Sequence, residues 1–187
     1  RIVWVDADVL INPAAPDIVA ATPAGKVGAV DEYSVPTREQ YTTTLAKLYH
    51  YWDAIGFPFV RNPTPESFYA AFGFAHGFPQ VVQTGVMVLS PAHHRGLLER
   101  VYTEYADRGH NWNYEMRPLS YELLKADCVH WLDARFNYTW GIYQALHFPF
   151  LMGAKADEHL AACLAEAKAR TYFLHFAGDA DLMATAV

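Results

Sequence analysis

Five short apolar runs limit what this chain can fold into: Ile2-Val3-Trp4-Val5, Val27-Gly28-Ala29-Val30, Gly85-Val86-Met87-Val88-Leu89, Val129-His130-Trp131-Leu132 and Tyr172-Phe173-Leu174-His175-Phe176. Each is too short for a buried helix and is flanked by polar or turn-forming residues, which predicts strands. The first, ending in acids, suits a central parallel strand whose carboxyl end opens into a crevice. Between the runs lie stretches with helical spacing. Residues 37–54 place Tyr41, Leu45, Leu48, Tyr49 and Trp52 on one face, and residues 93–105 do the same with Leu97, Leu98, Val101 and Tyr105. Further helices are predicted over 114–126 and 157–170, and a short one over 17–21 ahead of Pro23 and Gly25. The stretch 56–80, broken by Pro58, Pro63, Pro65 and Pro79, reads as an irregular excursion over a pocket. Strands alternating with helices predict an α/β fold, with a mostly parallel sheet flanked by helices.

The length of 187 residues suits one domain, and 52% hydrophobic content with 15% aromatics suffices for a substantial core. Residues 1–187 are therefore read as a single domain. With 18% charged residues, a net charge of −6 and no Lys/Arg cluster longer than a pair, a broad face for phosphate backbones is excluded. Nucleic acid is not an expected partner. No apolar run approaches the roughly 20 residues that cross a bilayer, so no membrane segment is expected in the chain. Cys128 and Cys163 fit no metal or redox spacing and read as free thiols, which favours a reducing, cytoplasmic compartment.

The chemistry concentrates at Val5-Asp6-Ala7-Asp8. In an extended strand end, carboxylates two residues apart leave the same face, which suits one hard divalent cation such as Mg2+ or Mn2+. Such a cation neutralises the charge that builds on a departing diphosphate. The same pattern also describes a turn with capping acids. A histidine inside Tyr172-Phe173-Leu174-His175-Phe176 likewise reads either as a ligand or as a satisfied core residue.

Val3-Trp4-Val5-Asp6-Ala7-Asp8-Val9-Leu10 resembles the D-x-D segment of GT-A-type glycosyltransferases, most closely the family 8 group of glycogenin-like and bacterial galactosyltransferase-like enzymes. Gln83-Thr84-Gly85-Val86-Met87-Val88-Leu89-Ser90-Pro91 is similar to a second signature of that group, and Leu174-His175-Phe176-Ala177-Gly178 to a third. The resemblance implies a GT-A-like (Rossmann-like) fold, N-terminally truncated, because the family's nucleotide-binding units precede the D-x-D. It implies Mn2+ or Mg2+ on Asp6, Asp8 and His175. The donor, a UDP-sugar by default, would meet Asp6, Asp8, Gln83, Thr84, Gly85, Val86 and Gly178. Transfer would go to a hydroxyl acceptor on a glycan, lipid or protein, with retention of configuration. Glu115 occupies the place of the acid nearest the reacting carbon, and Asn137, Tyr138 and Trp140 would line the acceptor groove. The same three residues also read as core.

The chain departs from the family in two places. Met116 and Arg117 stand where the family has an amide and a second acid, and Asp179-Ala180-Asp181 replaces the usual Lys and Pro-Trp after Gly178. Arg117 is offered instead as a phosphate partner, and Glu115 also reads as a solvated first-turn helix acid. Two other functions therefore remain open. One is a non-catalytic carbohydrate-binding relative of the same fold. The other is a haloacid-dehalogenase-like phosphatase, whose nucleophile also lies in a D-x-D, although Met183 stands where its late motif needs an acid.

Overall fold

The structure, a computed structural model, describes residues 1–57, 59–105, 115–152, 157–177 and 180–184. In chain order the elements are β1 (Ile2–Val5), β2 (Val9–Ile11), β3 (Val27–Asp31), α1 (Arg38–Ile55), α2 (Pro65–Ala70), β4 (Val82–Leu89), α3 (Pro91–Glu104), α4 (Met116–Lys125), β5 (Val129–Trp131), β6 (Tyr138–Thr139), α5 (Trp140–His147), α6 (Asp157–Arg170), β7 (Phe173–His175) and α7 (Ala180–Ala184). The class is α/β, with two mixed sheets flanked by helices. Two compact units divide the chain, one of Arg1–Trp4, Asp17–Tyr33 and Asn62–Leu132, the other of Val5–Pro16, Ser34–Arg61 and Asp133–Val187.

The first unit holds a four-stranded sheet in the order β1-β4-β3-β5. β3 runs antiparallel to β4 and parallel to β5, and all five of its residues are buried, as an interior strand requires. Val27 and Ala29 of β3 join Val82, Met87 and Leu123 in one apolar cluster, against which Leu97 of α3 and Leu119 and Leu124 of α4 pack. Gly28, between the two, admits Thr22: a Cβ there would overlap the Thr22 hydroxyl, which donates to the Ile18 carbonyl.

Three expectations change here. β1 is an edge strand rather than a central one, with Ile2 50% and Trp4 53% exposed. An apolar run reports that a strand tolerates burial, not its place in the sheet. The 17–21 stretch makes one helical turn, held by the Asp17 carboxylate accepting the Val19 and Ala20 N–H groups, and Pro23 follows before a second turn closes. The supposed irregular stretch 56–80 contains α2, started by a capping box in which Thr64 and Ser67 each accept the other's backbone N–H, with Pro65 in the first turn.

In the second unit, a three-stranded sheet in the order β2-β7-β6 is packed by α5 and α6, with α1 lying against α5. β7 lies antiparallel to β2 and parallel to β6. α1 follows the predicted span: the Thr37 hydroxyl accepts the Gln40 N–H at its start, and Gly56 at φ 69° ends it. α5, which the sequence did not predict, buries Trp140, Ile142, Tyr143 and Ala145 and packs against α1. Asn12 closes the end of β2: its amide donates to the Lys168 and Thr171 carbonyls and its backbone N–H to that of Tyr172.

Candidate metal centre

Asp6 and Asp8 do not sit on a straight strand end. Asp6 follows β1, and Ala7 and Asp8 form a turn into β2. What brings Asp8 to His175 is the antiparallel pairing of β2 with β7, Val9 opposite His175 and Leu10 opposite Leu174. Beyond the last paired residues, the Phe176 N–H donates to the Asp8 carbonyl at 2.9 Å and locks the turn in place. Of the two readings of the D-x-D, the turn is the one seen, and it brings the Asp8 side chain to the His175 ring.

His175 Nε2 lies 3.3 Å from Asp8 Oδ1 and 3.9 Å from Asp6 Oδ2. One ligand atom from each of the three residues lies within 4.8 Å of the others. Bonds of about 2.1 Å set neighbouring ligand atoms of an octahedral cation about 3 Å apart and opposite ones about 4.2 Å apart. The cluster is therefore looser than an octahedral site, and its atoms would have to close by about 0.3–0.9 Å to hold one divalent cation. Access is graded, the side chains of Asp6, Asp8 and His175 being 39%, 17% and 6% exposed, so the carboxylate rim is open to solvent while the imidazole is not. Burial pushes the His175 protonation equilibrium below the ordinary histidine value, and the opposing pull of Asp8 and Asp6 does not overcome it. Neutral imidazole is the form that binds metals. On the other side of the ring, Nδ1 is 2.9 Å from Asn137 Oδ1.

Gln83, Thr84, Gly85 and Val86 belong to β4 in the first unit and are all buried. They are not a turn at a strand mouth. Between the pairs Val30–Gln83 and Gly28–Val88 the register shifts, so Thr84, Gly85, Val86 and Met87 form an irregularity within the strand. There the Gly85 N–H bonds to the Gln83 side chain. Glu115, also in the first unit, is an exposed residue at the start of α4, without a side-chain cap bond. Arg117 is 3% exposed, donates from Nε to the Phe68 carbonyl and lies over the Phe68 ring. It is packed into the unit rather than offered to a phosphate. Gly178 lies outside the described residues.

Asn137, Tyr138 and Trp140 are 1%, 4% and 3% exposed, so they pack inside the second unit instead of lining a groove. Among the described residues, the Tyr138 hydroxyl and Trp140 Nε1 have no hydrogen-bond partner. The contact between Asn137 and His175 is what the sequence did not reveal. The residues are 38 positions apart and no spacing rule connects them.

No protein-family model matches the chain, and no curated protein or solved structure matches it either. No helix among the described residues is long and apolar enough to cross a membrane.

Proposed function

We propose that the protein is a metal-dependent glycosyltransferase that moves a hexose from a nucleoside-diphosphate sugar, a UDP-sugar by default, to a hydroxyl acceptor. The observation that carries this reading is the convergence of Asp6, Asp8 and His175, two carboxylates and a neutral imidazole, on one position. The sequence resemblance that pointed to these residues treats them as one ligand set, and they come from opposite ends of the chain. An α/β fold with mixed sheets is compatible with a GT-A-like architecture.

Asp6, Asp8 and His175 would hold the cation, Mn2+ being favoured over Mg2+ by the nitrogen ligand. When bound, the cation supplies Lewis-acid neutralisation of the diphosphate leaving group. The chain's own contribution is to fix the ligands. The β2–β7 ladder holds Asp8 against His175, and Asp6, the more exposed acid, faces the solvent side from which a phosphate would arrive. Electron paramagnetic resonance of free Mn2+ during titration tests the site, and calorimetric titration of UDP with and without Mn2+ tests its use. Wild-type protein is expected to bind Mn2+ and to bind UDP more tightly in its presence, with both effects lost in Asp8→Ala. Equal Mn2+ binding by wild type and Asp8→Ala, or UDP affinity indifferent to Mn2+, would contradict the reading.

One observation favours a second reading, a non-catalytic sugar-binding relative. At the positions where the resemblance expects an amide and an acid, Met116 and Arg117 are buried and Arg117 is committed to Phe68. Cation-dependent binding of a nucleotide sugar without hydrolysis or transfer would select this alternative.

A further inference from the structure

We propose that Asn137 is the positioning residue of the cation site, holding the proton of His175 on Nδ1 so that Nε2 presents its lone pair to the cation. This rests on the reading of Asp6, Asp8 and His175 as ligands. An imidazole that binds a metal through one nitrogen carries its proton on the other, and a buried N–H without an acceptor costs about 1–3 kcal/mol. Asn137 Oδ1, 2.9 Å from Nδ1, is that acceptor.

The placement follows from the sheet. β6 pairs parallel with β7, Tyr138 beside Leu174 and Thr139 beside His175. Asn137, immediately before β6 and 1% exposed, is thus carried alongside β7 with its side chain on the ring. The acids flank the ring at Nε2, 3.3 and 3.9 Å away, and the amide flanks it at Nδ1. Turning the ring over would replace both nitrogens by carbons at these contacts, so one orientation is selected from both sides. A neutral amide achieves this without adding a third negative charge beside Asp6 and Asp8.

Three proteins separate positioning from packing: wild type, Asn137→Leu, which keeps the bulk and removes the acceptor, and Asn137→Asp, which keeps an acceptor. Mn2+ affinity by paramagnetic resonance is expected to fall about 10- to 100-fold in Asn137→Leu and to stay within about threefold of wild type, or rise, in Asn137→Asp. Melting of the metal-free proteins supplies the control for folding. Wild-type affinity in Asn137→Leu, or equal loss in both variants, would overturn the proposal. Should Asn137→Leu fail to fold, the imidazole 15N spectrum of the wild-type protein loaded with diamagnetic Zn2+ decides: a proton on Nδ1 of His175 is expected, and one on Nε2 overturns the assignment. Failure of wild type to bind any divalent ion would instead remove the ligand reading itself, and this proposal with it.

Discussion

Ala177 adopts φ 51°, the left-handed region, two residues after His175. An alanine pays about 1–2 kcal/mol for that conformation, because its Cβ crowds the following carbonyl. Glycine avoids the clash but loses more freedom on folding, so Ala177→Gly is expected to stabilise the protein by about 0.5–1 kcal/mol in urea unfolding. No change or a loss would mean that neighbouring contacts, not the backbone, set the conformation. At this scale the sequence revealed types better than partners. Asp6, Asp8 and His175 were legible because carboxylates after an apolar run and a histidine within one are conspicuous. Asn137, Tyr138 and Trp140 suggest a binding role only through the chemistry of their side chains, amide and aromatic, which is the same whether they face a ligand or the interior. Burial is set by β6 and α5, and neither leaves a clear periodic pattern in so short a stretch.

Between elements, α3 and α4 are joined by the nearly inaccessible carboxylate of Glu122, which accepts from Arg100 at 2.8 Å and from the Tyr105 hydroxyl at 2.9 Å, with Lys125 at 3.6 Å. Burial alone would raise the Glu122 pKa, but the bonds from Arg100 and Tyr105 and the charges of Arg100 and Lys125 bring it below the ordinary glutamate value. The folded-state pKa is therefore the depressed one. Its stabilisation is present above the unfolded value of about 4.3 and is lost as pH falls through the folded value. Unfolding free energy measured from pH 6 downward is expected to drop on this account below about pH 4.3, with a shallower acid limb in Glu122→Gln. Identical limbs in the two proteins would show that other carboxylates carry the dependence. Elements with both a period and caps, α1 above all, could be placed from sequence. α2 was hidden because the prolines that suggested a loop include one that starts the helix. β1 was misplaced because edge and centre strands share a composition when the edge is itself apolar.

For the molecule as a whole, the connectivity matters more than the inventory of elements. Each unit is assembled from three separate segments. The longest segment of the first unit, residues 62–132, contains β4 and β5 but lacks β3, which lies between them and contributes Val27 and Ala29 to the core. Expressed alone, this fragment is expected to show no cooperative thermal transition and no near-ultraviolet dichroism. A sharp transition would mean that β4 and β5 find another pairing. Linear order suggested α/β class correctly, yet nothing in a run of apolar residues states which distant run it will lie beside.

The β2–β7 ladder has a consequence for biosynthesis. The two aspartates leave the ribosome well ahead of the histidine and its strand, which follow about 170 residues later, the separation that the rate of synthesis converts into time. At about 5–20 residues per second, roughly 10–30 s separate them, during which a nascent chain offers a passing cation carboxylates alone. Metal loading would then be a late event, following the arrival of β7 rather than guiding the earlier stages of folding.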